Sequence, residues 1–322
     1  MKTSWKFVAA VAMAATLAIA AVAQQRMFFG IATGGTGGTY YPLGGMLAQL
    51  ISNKATVGGQ KISATAEAAG ASVGNAKLLG NKEIESAFVA ADILDAAYNG
   101  TGQFNGAPLK NLRALGALYP ETVQLITRAD MGINSVRDLK GKSVSSGSPG
   151  SGQYQLLTDL LKVHGMSRND VKEDLSSFTQ AVDKIKDGNL HATLITAGVP
   201  TAAVTDFAQS HALKVIPLSG PEIAELRKQQ PYYAEVPLPA NTYKGQTAAV
   251  PTLAVMAVWT AHDAVPEGVA YEVTKALYEN TAIMGQVHAQ GKNISLTTAT
   301  AVGTAPLHPG SVRYFKEKGI VK

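Results

Sequence analysis

Two glycine-rich segments carry the residues best suited to binding chemistry. The first is GIATGGTGGTYYPLG at 30–44, and the second is SSGSPGSG at 145–152. Glycine lets backbone N–H groups converge on a ligand because no Cβ stands in the way. If a helix follows, its first N–H groups have no intrahelical partner, and the helix dipole adds about half a positive charge there. Both segments therefore favour the capture of an anion, with threonine and serine hydroxyls as further donors.

Two adjacent tyrosines, Tyr40 and Tyr41, close the first segment. An aromatic ring can form a wall against the apolar part of a ligand, while its hydroxyl donates one hydrogen bond. Two such segments on opposite sides of a cleft would hold a small carboxylate from both sides. The alternative for either segment is that its glycines serve only a tight turn between strand and helix.

Neither glycine segment fits a nucleotide motif. A dinucleotide-binding loop needs G-x-G-x-x-G, and Tyr40 stands at the position of its last glycine. A phosphate-binding P-loop needs Lys and Ser or Thr after its second glycine, where this chain has Gln153 and Tyr154. We therefore expect no nucleotide cofactor, and no other cofactor is indicated.

A serine hydrolase remains the alternative function. The residues from Gly70 to Gly74 read G-A-S-V-G, which matches the nucleophile elbow G-x-S-x-G, and a predicted strand precedes them. Ser72 would be the nucleophile, and a later acid and histidine would have to complete the triad. A third hypothesis is a surface protein with a vestigial cleft and no ligand. The 6 histidines show no metal-ligand spacing and the chain has 0 cysteines, so we expect no metal site.

The N-terminus has the pattern of a secretory signal peptide. Lys2 and Lys6 precede an apolar run at 7–20, and Ala-Val-Ala at 21–23 is a small-x-small cleavage site. The run is short for a bilayer span, which needs about 20 apolar residues. We expect cleavage after Ala23 and a periplasmic protein; an uncleaved anchor is the alternative.

Length and composition indicate a globular chain of two domains. The chain has 322 residues, of which 46% are hydrophobic and 16% charged. Its net charge of +5 is scattered and forms no basic stripe, so nucleic-acid binding is not expected. Without cysteines there are no disulfides, and the fold must be stable through packing alone. We expect a monomer.

Apolar strand-like runs alternate with helical patterns along the chain, which predicts parallel sheets covered by helices. The predicted strands are 28–33, 61–66, 84–90, 112–118, 123–127, one starting within 139–144, one near Leu175, 190–196, 213–218 and 252–260. The predicted helices are 40–51, 72–79, 92–98, 153–164, 181–186, one starting within 197–204, 266–284 and one at the tail. Ligands on such sheets bind beyond the carboxyl ends of the strands.

Several motifs together resemble one known family. They are F-x-I-x-T-G-G-T-G-G-T-Y-Y-P-L-G, G-x-S-x-x-N at 70–75, A-L-Y-P-E-T-V-Q-L-I at 117–126, D-L-K-G-K-S-V at 138–144, S-x-G-S-x-G-S-G at 145–152, T-A-G-V-P-T at 196–201 and Y-E-V-T-K-A-L-Y-E-N at 271–280. The chain resembles the TAXI family, the solute-binding subunits of one branch of TRAP transporters, which are often called immunogenic proteins.

This resemblance implies an α/β type II periplasmic binding protein with two lobes, a ligand cleft and hinge strands. Such a protein is non-catalytic and delivers a small carboxylate, such as glutamate or 2-oxoglutarate, to a TRAP-type membrane permease. Lobe one would comprise 24–121 and 253–322, and lobe two 122–252, with hinges near 122–128 and 252–260. The ligand-binding residues that the resemblance implies are Thr36, Gly37, Gly38, Tyr40, Tyr41, Gly70, Ser72, Asn75, Ser148, Gly150, Ser151, Gly152, Thr196, Ala197, Gly198 and Pro200.

Three positions depart from the family pattern and bear on the identity of the ligand. Ala90 stands where the family often shows Gln, which indicates a smaller or less polar pocket at that point. His191 stands where Asp is frequent; we expect it at the surface, and a pH-sensitive group near the cleft is the alternative. Ala71 replaces the second of two glycines before Ser72. No Arg or Lys falls within the four turns, so we expect capture mainly by N–H and hydroxyl groups. Arg128 is the nearest cation in sequence.

Overall fold

Strands and helices alternate along the chain in the computed structural model, which describes residues 27–322. The strands are β1 Met27–Ala32, β2 Thr56–Val57, β3 Gln60–Glu67, β4 Ser86–Ala90, β5 Leu112–Arg128, β6 Ser143–Ser145, β7 Lys172–Asp174, β8 Ala192–Ala197, β9 Leu213–Ile216, β10 Ala234–Leu238 and β11 Val250–His262. The α-helices are α1 Tyr40–Lys54, α2 Ala71–Gly80, α3 Ala91–Asn99, α4 Gln153–Val163, α5 Phe178–Lys186, α6 Ala202–Ser210, α7 Pro221–Gln229, α8 Glu267–Tyr278, α9 Thr281–Met284 and α10 Pro309–Glu317.

The sheet consists of two similar halves, which correspond to the two α/β lobes. In lobe one, β1 pairs in parallel with β3 on one side and β4 on the other. In lobe two, β6 pairs in parallel with β7 and β8 in the same way. Each parallel strand is followed by a helix, so the turns β1–α1, β3–α2 and β4–α3 correspond to β6–α4, β7–α5 and β8–α6. These turns lie at the carboxyl ends of the strands, where α/β sheets bind ligands.

Two long antiparallel strands join the halves. Strand β5 pairs with β11 from Leu112 to Thr122 and then with β8 from Thr122 to Thr127. Strand β11 pairs with β4 over Ala257–Ala261 and with β10 over Val250–Ala254. The prediction of two strands at 112–118 and 123–127 was therefore wrong in one respect: a single strand runs through Pro120. This proline is tolerated because the β5–β11 register shifts between Met256 and Val258.

Apolar side chains fill the space between sheet and helices in both lobes. One cluster in lobe one surrounds Trp259 and Phe29, whose rings meet edge to face at 6.2 Å. A second cluster runs beneath α3 and α4 and includes Ile93 and Leu157, so it connects the lobes on the face opposite the first. A third lies around Phe207 in lobe two. Helices α1 and α10 each pack against α8 on lobe one.

Other differences from the predicted elements are local. The predicted helix at 266–284 is broken at Asn280, which has a non-helical φ of −132°, into α8 and α9. Sequence periodicity did not reveal β2, α7 or β10. The predicted signal peptide and cleavage site lie outside the described residues, and the lobe boundaries at 121/122 and 252/253 stay a prediction. Among the helices of residues 27–322, none combines the length and the apolar composition of a membrane span.

Candidate functional site

A cavity of about 230 Å³ lies between the two lobes at the carboxyl ends of the parallel strands. Its surface is formed by both glycine segments, the first turns of five helices and parts of β5, β8 and β11. The lining residues are Gly34, Gly35, Thr36, Gly37, Gly38, Thr39, Tyr40, Ala71, Ser72, Ala90, Asp92, Ile93, Glu121, Ser148, Ser151, Gly152, Gln153, Ser177, Phe178, Thr179, Thr196, Ala197, Tyr233 and Val255.

The structure brings most of the sequence-predicted site residues to this cavity. Ten of the sixteen line it: Thr36, Gly37, Gly38, Tyr40, Ser72, Ser148, Ser151, Gly152, Thr196 and Ala197. Six do not: Tyr41, Gly70, Asn75, Gly150, Gly198 and Pro200. All six belong to the same turns, so they differ from the lining residues in orientation or in their partners.

Helix geometry and backbone bonding explain two of these six positions. Tyr40 and Tyr41 are consecutive in α1 and therefore about 100° apart around the helix axis. Tyr40 is buried, whereas Tyr41 is 40% exposed. The Asn75 amide nitrogen donates to the carbonyl oxygens of Thr33 at 2.9 Å and Phe88 at 2.8 Å. Asn75 thus fixes α2 to the strand ends and has a structural role.

Three of the other positions take part in contacts between the lobes. The Gly150 carbonyl accepts the N–H groups of Val73 and Gly74 at the start of α2, each at 2.9 Å. The Gly198 carbonyl accepts the Thr39 hydroxyl at 3.0 Å, and the Pro200 carbonyl lies 3.0 Å from Nε2 of His288. In return, the Gly37 carbonyl accepts the N–H of Ala203 at the start of α6. Each lobe caps a helix of the other, so the structure is a closed form.

We expect Gly150→Ala to weaken ligand binding by roughly tenfold or more, because it disrupts this closure. Gly150 has a φ of +88°, and an added Cβ would lie 3.0 Å from the Gly70 carbonyl oxygen. The matched control is Gly106→Ala, since Gly106 has a similar φ of +77° but open space around it. Titration calorimetry on both variants separates loss of closure from general backbone strain. Equal losses of affinity would contradict a role of Gly150 in closing the cleft.

Backbone N–H groups without partners surround the cavity. Within 27–322, the N–H groups of residues 34–37 donate to no protein acceptor, nor do those of Ser148 and Gly152 on the opposite lobe. The first N–H groups of α1, α4 and α5 also have no intrahelical acceptor. A small anion placed here would receive several hydrogen bonds and the favourable ends of the helix dipoles.

Two buried carboxyl groups, which the sequence analysis did not assign to the site, form part of the cavity floor. Glu121 lies on β5 where this strand passes from β11 to β8, and the Tyr40 hydroxyl donates to its Oε2 at 2.8 Å. Burial raises the pKa of the Glu121 carboxyl to about 8, against the lowering effect of the bond from Tyr40. Glu121 is therefore mostly protonated at neutral pH in the empty cavity.

Asp92, the second carboxyl, lies in the first turn of α3. The Tyr233 hydroxyl donates to its Oδ2 at 2.7 Å, while Oδ1 is buried and has no partner. Burial raises the pKa of Asp92 as well. None of the Lys, Arg or His residues in the described part of the chain lines the cavity. In the sequence, the position of Glu121 as a single Glu within the otherwise largely apolar run 112–128 was the signal that could have indicated a carboxyl group at the site.

The structure does not support a catalytic triad at Ser72. The Ser72 hydroxyl accepts the N–H of Ala90 at 3.0 Å and lies 3.4 Å from the Tyr40 hydroxyl. No histidine in the described chain hydrogen-bonds to Ser72. His191 is half-buried, with its Nδ1 2.7 Å from the Ser143 hydroxyl and outside the cavity lining. Arg128 pairs with Asp130 at 2.6 Å and is also outside the lining.

The fold and the interlobe cavity define the class, which is the two-lobe α/β fold of periplasmic binding proteins. PhnD1 from Prochlorococcus marinus (MIT 9301), solved with methylphosphonate, matches with a TM-score of 0.54 at 10% identity over 92% of this chain and 97% of that one. A Bordetella bronchiseptica RB50 protein matches with a TM-score of 0.52 at 16% identity over 92% and 81%. The periplasmic aliphatic sulphonate binding protein SsuA from Escherichia coli matches with a TM-score of 0.46 at 16% identity over 91% and 78%.

Sequence comparison gives the family. Residues 31–319 match the model of the NMT1-like family. Because this match extends over most of the chain, the protein belongs to the NMT1-like family.

Proposed function

We propose that this protein is an extracytoplasmic solute-binding protein that holds a small carboxylate between its lobes and delivers it to a membrane permease. The observation that carries the proposal is the closed cavity whose two walls present unpartnered N–H groups from paired glycine segments. PhnD1, which shares the fold, was solved in complex with methylphosphonate. Methylphosphonate is a small anionic solute, and backbone N–H groups at helix N-termini can bind such an anion.

The acid group of the ligand would lie against the glycine segments. Each hydrogen bond to a charged acceptor contributes roughly 1.5–3 kcal/mol. Four or five such bonds, after the costs of ordering and closure, correspond to a binding free energy of about −8 kcal/mol, which is a micromolar Kd. Tyr40 and Phe178 provide apolar surface for the rest of the molecule. The ten predicted residues that line the cavity are our proposed ligand contacts.

We further propose that the protein is the TAXI-type subunit of a TRAP transporter. This proposal rests on the motifs from the first glycine segment to 271–280. It implies a non-catalytic monomer that is exported after cleavage at Ala23 and works with an integral-membrane permease. The lobes would be 24–121 with 253–322 and 122–252, and they would close by bending at 122–128 and 252–260, where β5 and β11 join the two sheet halves.

A thermal-shift screen tests the solute-binding function. The protein is unfolded, dialysed to remove any bound molecule, refolded and heated with glutamate, glutamine, 2-oxoglutarate, succinate, malate, pyruvate and branched-chain acids. A ligand at 100 times its Kd adds about 2.7 kcal/mol, a shift of several degrees for a protein of this size. One clear shift supports the function. A flat screen, together with no small molecule released on unfolding, would overturn it.

We expect Thr196→Val to weaken binding about 10- to 100-fold without loss of stability. The Thr196 hydroxyl is buried at the cavity and has no partner in the described protein, so it is available to a ligand. Thr193→Val is the matched control: it lies on the same strand, and its hydroxyl is also buried and unpartnered but is outside the lining. Calorimetry and melting curves on both variants are the measurement. Unchanged affinity in Thr196→Val would mean that the Thr196 hydroxyl on β8 does not bind the ligand.

A further inference from the structure

The cavity floor offers hydrogen-bond acceptors that nothing in the protein satisfies. Oδ1 of Asp92, Oε1 of Gln153 and the Thr196 hydroxyl are buried without a partner in the described chain. Gln153 is 7% exposed, so its amide oxygen has no access to bulk water. Glu121 accepts the Tyr40 hydroxyl at Oε2, and its other oxygen, which has no bond in the described chain, becomes an acceptor when the carboxyl loses its proton. Buried acceptors of this kind cost free energy unless a donor reaches them.

Strand register places these groups together. Glu121 pairs with Val255 on β11, and its neighbour Thr122 pairs with Ala197 on β8. Thr196 pairs with Val123, two residues beyond Glu121 on β5. Asp92 lies two residues after Ala90, the end of β4, and Ala90 pairs with Ala257, two residues from Val255 on β11. The acceptors thus meet at the floor, where β5 and β11 join the lobes, while the N–H donors of the glycine segments form the walls.

The charges at the floor also favour a ligand group that is positively charged and donates hydrogen bonds. The floor carries two carboxyl groups, and within 27–322 no Lys, Arg or His lines the cavity to neutralise them. The two tyrosines that contact the carboxyl groups donate one hydrogen bond each. A ligand carboxylate or carbonyl at this floor would face the oxygens of Asp92 and Gln153, and only the Thr196 hydroxyl and the carboxyl proton of Glu121 could donate to it. A ligand ammonium would supply up to three donors and a positive charge.

We propose that Glu121 and Asp92 select a ligand that bears a protonated nitrogen, so that the solute is a zwitterion with its acid group at the glycine walls and its ammonium at the floor. This inference rests on the proposed function and narrows its ligand. The site then discriminates against 2-oxo acids, which replace the ammonium with a carbonyl acceptor. It also discriminates against dicarboxylates that have no amine, because their second carboxylate would face Asp92.

Matched pairs of ligands test this selection by titration calorimetry. Each pair keeps the carbon skeleton and exchanges the ammonium for a carbonyl: glutamate and 2-oxoglutarate, leucine and 4-methyl-2-oxopentanoate, alanine and pyruvate. We expect the amino acid of the binding pair to be preferred by at least about tenfold, the effect of one charged hydrogen bond. Asp92→Asn and Glu121→Gln should each reduce this preference several-fold, mainly by lowering the affinity for the amino acid.

The control is Asp95→Asn, one turn further along α3 and outside the cavity, where Asp95 bonds to Asn99 at 2.8 Å. It should leave the preference unchanged. Melting curves establish that each variant is folded. If a 2-oxo acid binds as tightly as its amino acid, or if the preference survives both floor variants, the inference is overturned while the proposed function stands. If no compound of any pair binds but another acid of the thermal-shift screen does, the inference alone is overturned; if nothing in either experiment binds and no small molecule is released on unfolding, both fall.

Discussion

Affinity for an amino acid is expected to rise about 50-fold between pH 6 and pH 8. In the empty cavity burial raises the pKa of Glu121 to about 8, so the carboxyl is protonated at pH 6. A ligand ammonium requires the ionised carboxylate, and binding must therefore release that proton. The apparent Kd is multiplied by about 100 at pH 6 and by about 2 at pH 8, which gives the expected ratio.

The tyrosines near Glu121 do not ionise in this window, and the second carboxyl, Asp92, is separated by its own variant. The charged and titratable neighbours are Tyr40, Tyr119, Asp92 and Tyr233. Burial raises the pKa values of the three tyrosines well above 10. Burial also raises the pKa of Asp92. The Asp92→Asn variant shows how much of the pH dependence of the affinity comes from this carboxyl.

Calorimetry in buffers of different ionisation enthalpy measures the proton directly. At pH 7 about 0.9 proton should be released per amino acid bound, since that fraction of Glu121 is protonated for a pKa near 8. Glu121→Gln has no proton to lose, so its affinity should be flat between pH 6 and pH 8. A wild-type affinity that is equally flat, with no proton released, would show that Glu121 stays neutral in the complex and does not hold the ammonium.

The architecture was accessible from the sequence because strand and helix patterns depend on local spacing. Alternating apolar runs and helical patterns placed most of the strands and helices of both lobes, and the glycine segments marked two of the turns that line the cavity. Long-range pairing was less accessible. The sequence pattern predicted separate strands at 112–118 and 123–127, whereas a single strand runs through Pro120. It is the partner strand β11, with its register shift, that accommodates the proline.

The site was only partly accessible for a related reason. Sequence pattern identifies a turn, but it does not say which residues of the turn face the ligand. Gly150 and Gly198 belong to such turns and bond to the other lobe, a contact that exists only in the folded chain. Asn75 is polar and lies one helical turn after Ser72, yet its amide hydrogen-bonds to strand ends and does not face the cavity. The floor was missed because Glu121 is a single polar residue within a strand, and its neighbours come from distant segments.

Glu121→Gln is expected to stabilise the ligand-free protein by roughly 3 kcal/mol at pH 7. The folded pKa of Glu121 is raised from 4.5 to about 8, so the unfolded chain ionises first. Below pH 4.5 both states are protonated and this carboxyl has no effect. As the pH rises from 4.5 to 8, the wild-type protein loses about 1.4 kcal/mol per pH unit relative to the variant. The glutamine oxygen can still accept the Tyr40 hydroxyl, so the hydrogen bond is retained.

Melting temperatures of both proteins at pH 5 and pH 8 test this linkage. The variant should melt close to the wild type at pH 5 and at least about 6 °C higher at pH 8. The control is Glu225→Gln, at an exposed carboxyl whose pKa Gln229 and Lys228 lower; it should show a small change of opposite sign. An unchanged difference between pH 5 and pH 8 would mean that Glu121 is already ionised in the empty cavity. A carboxyl that destabilises the empty protein and strengthens its complex contributes to binding rather than to folding, which is the trade-off expected of a functional group.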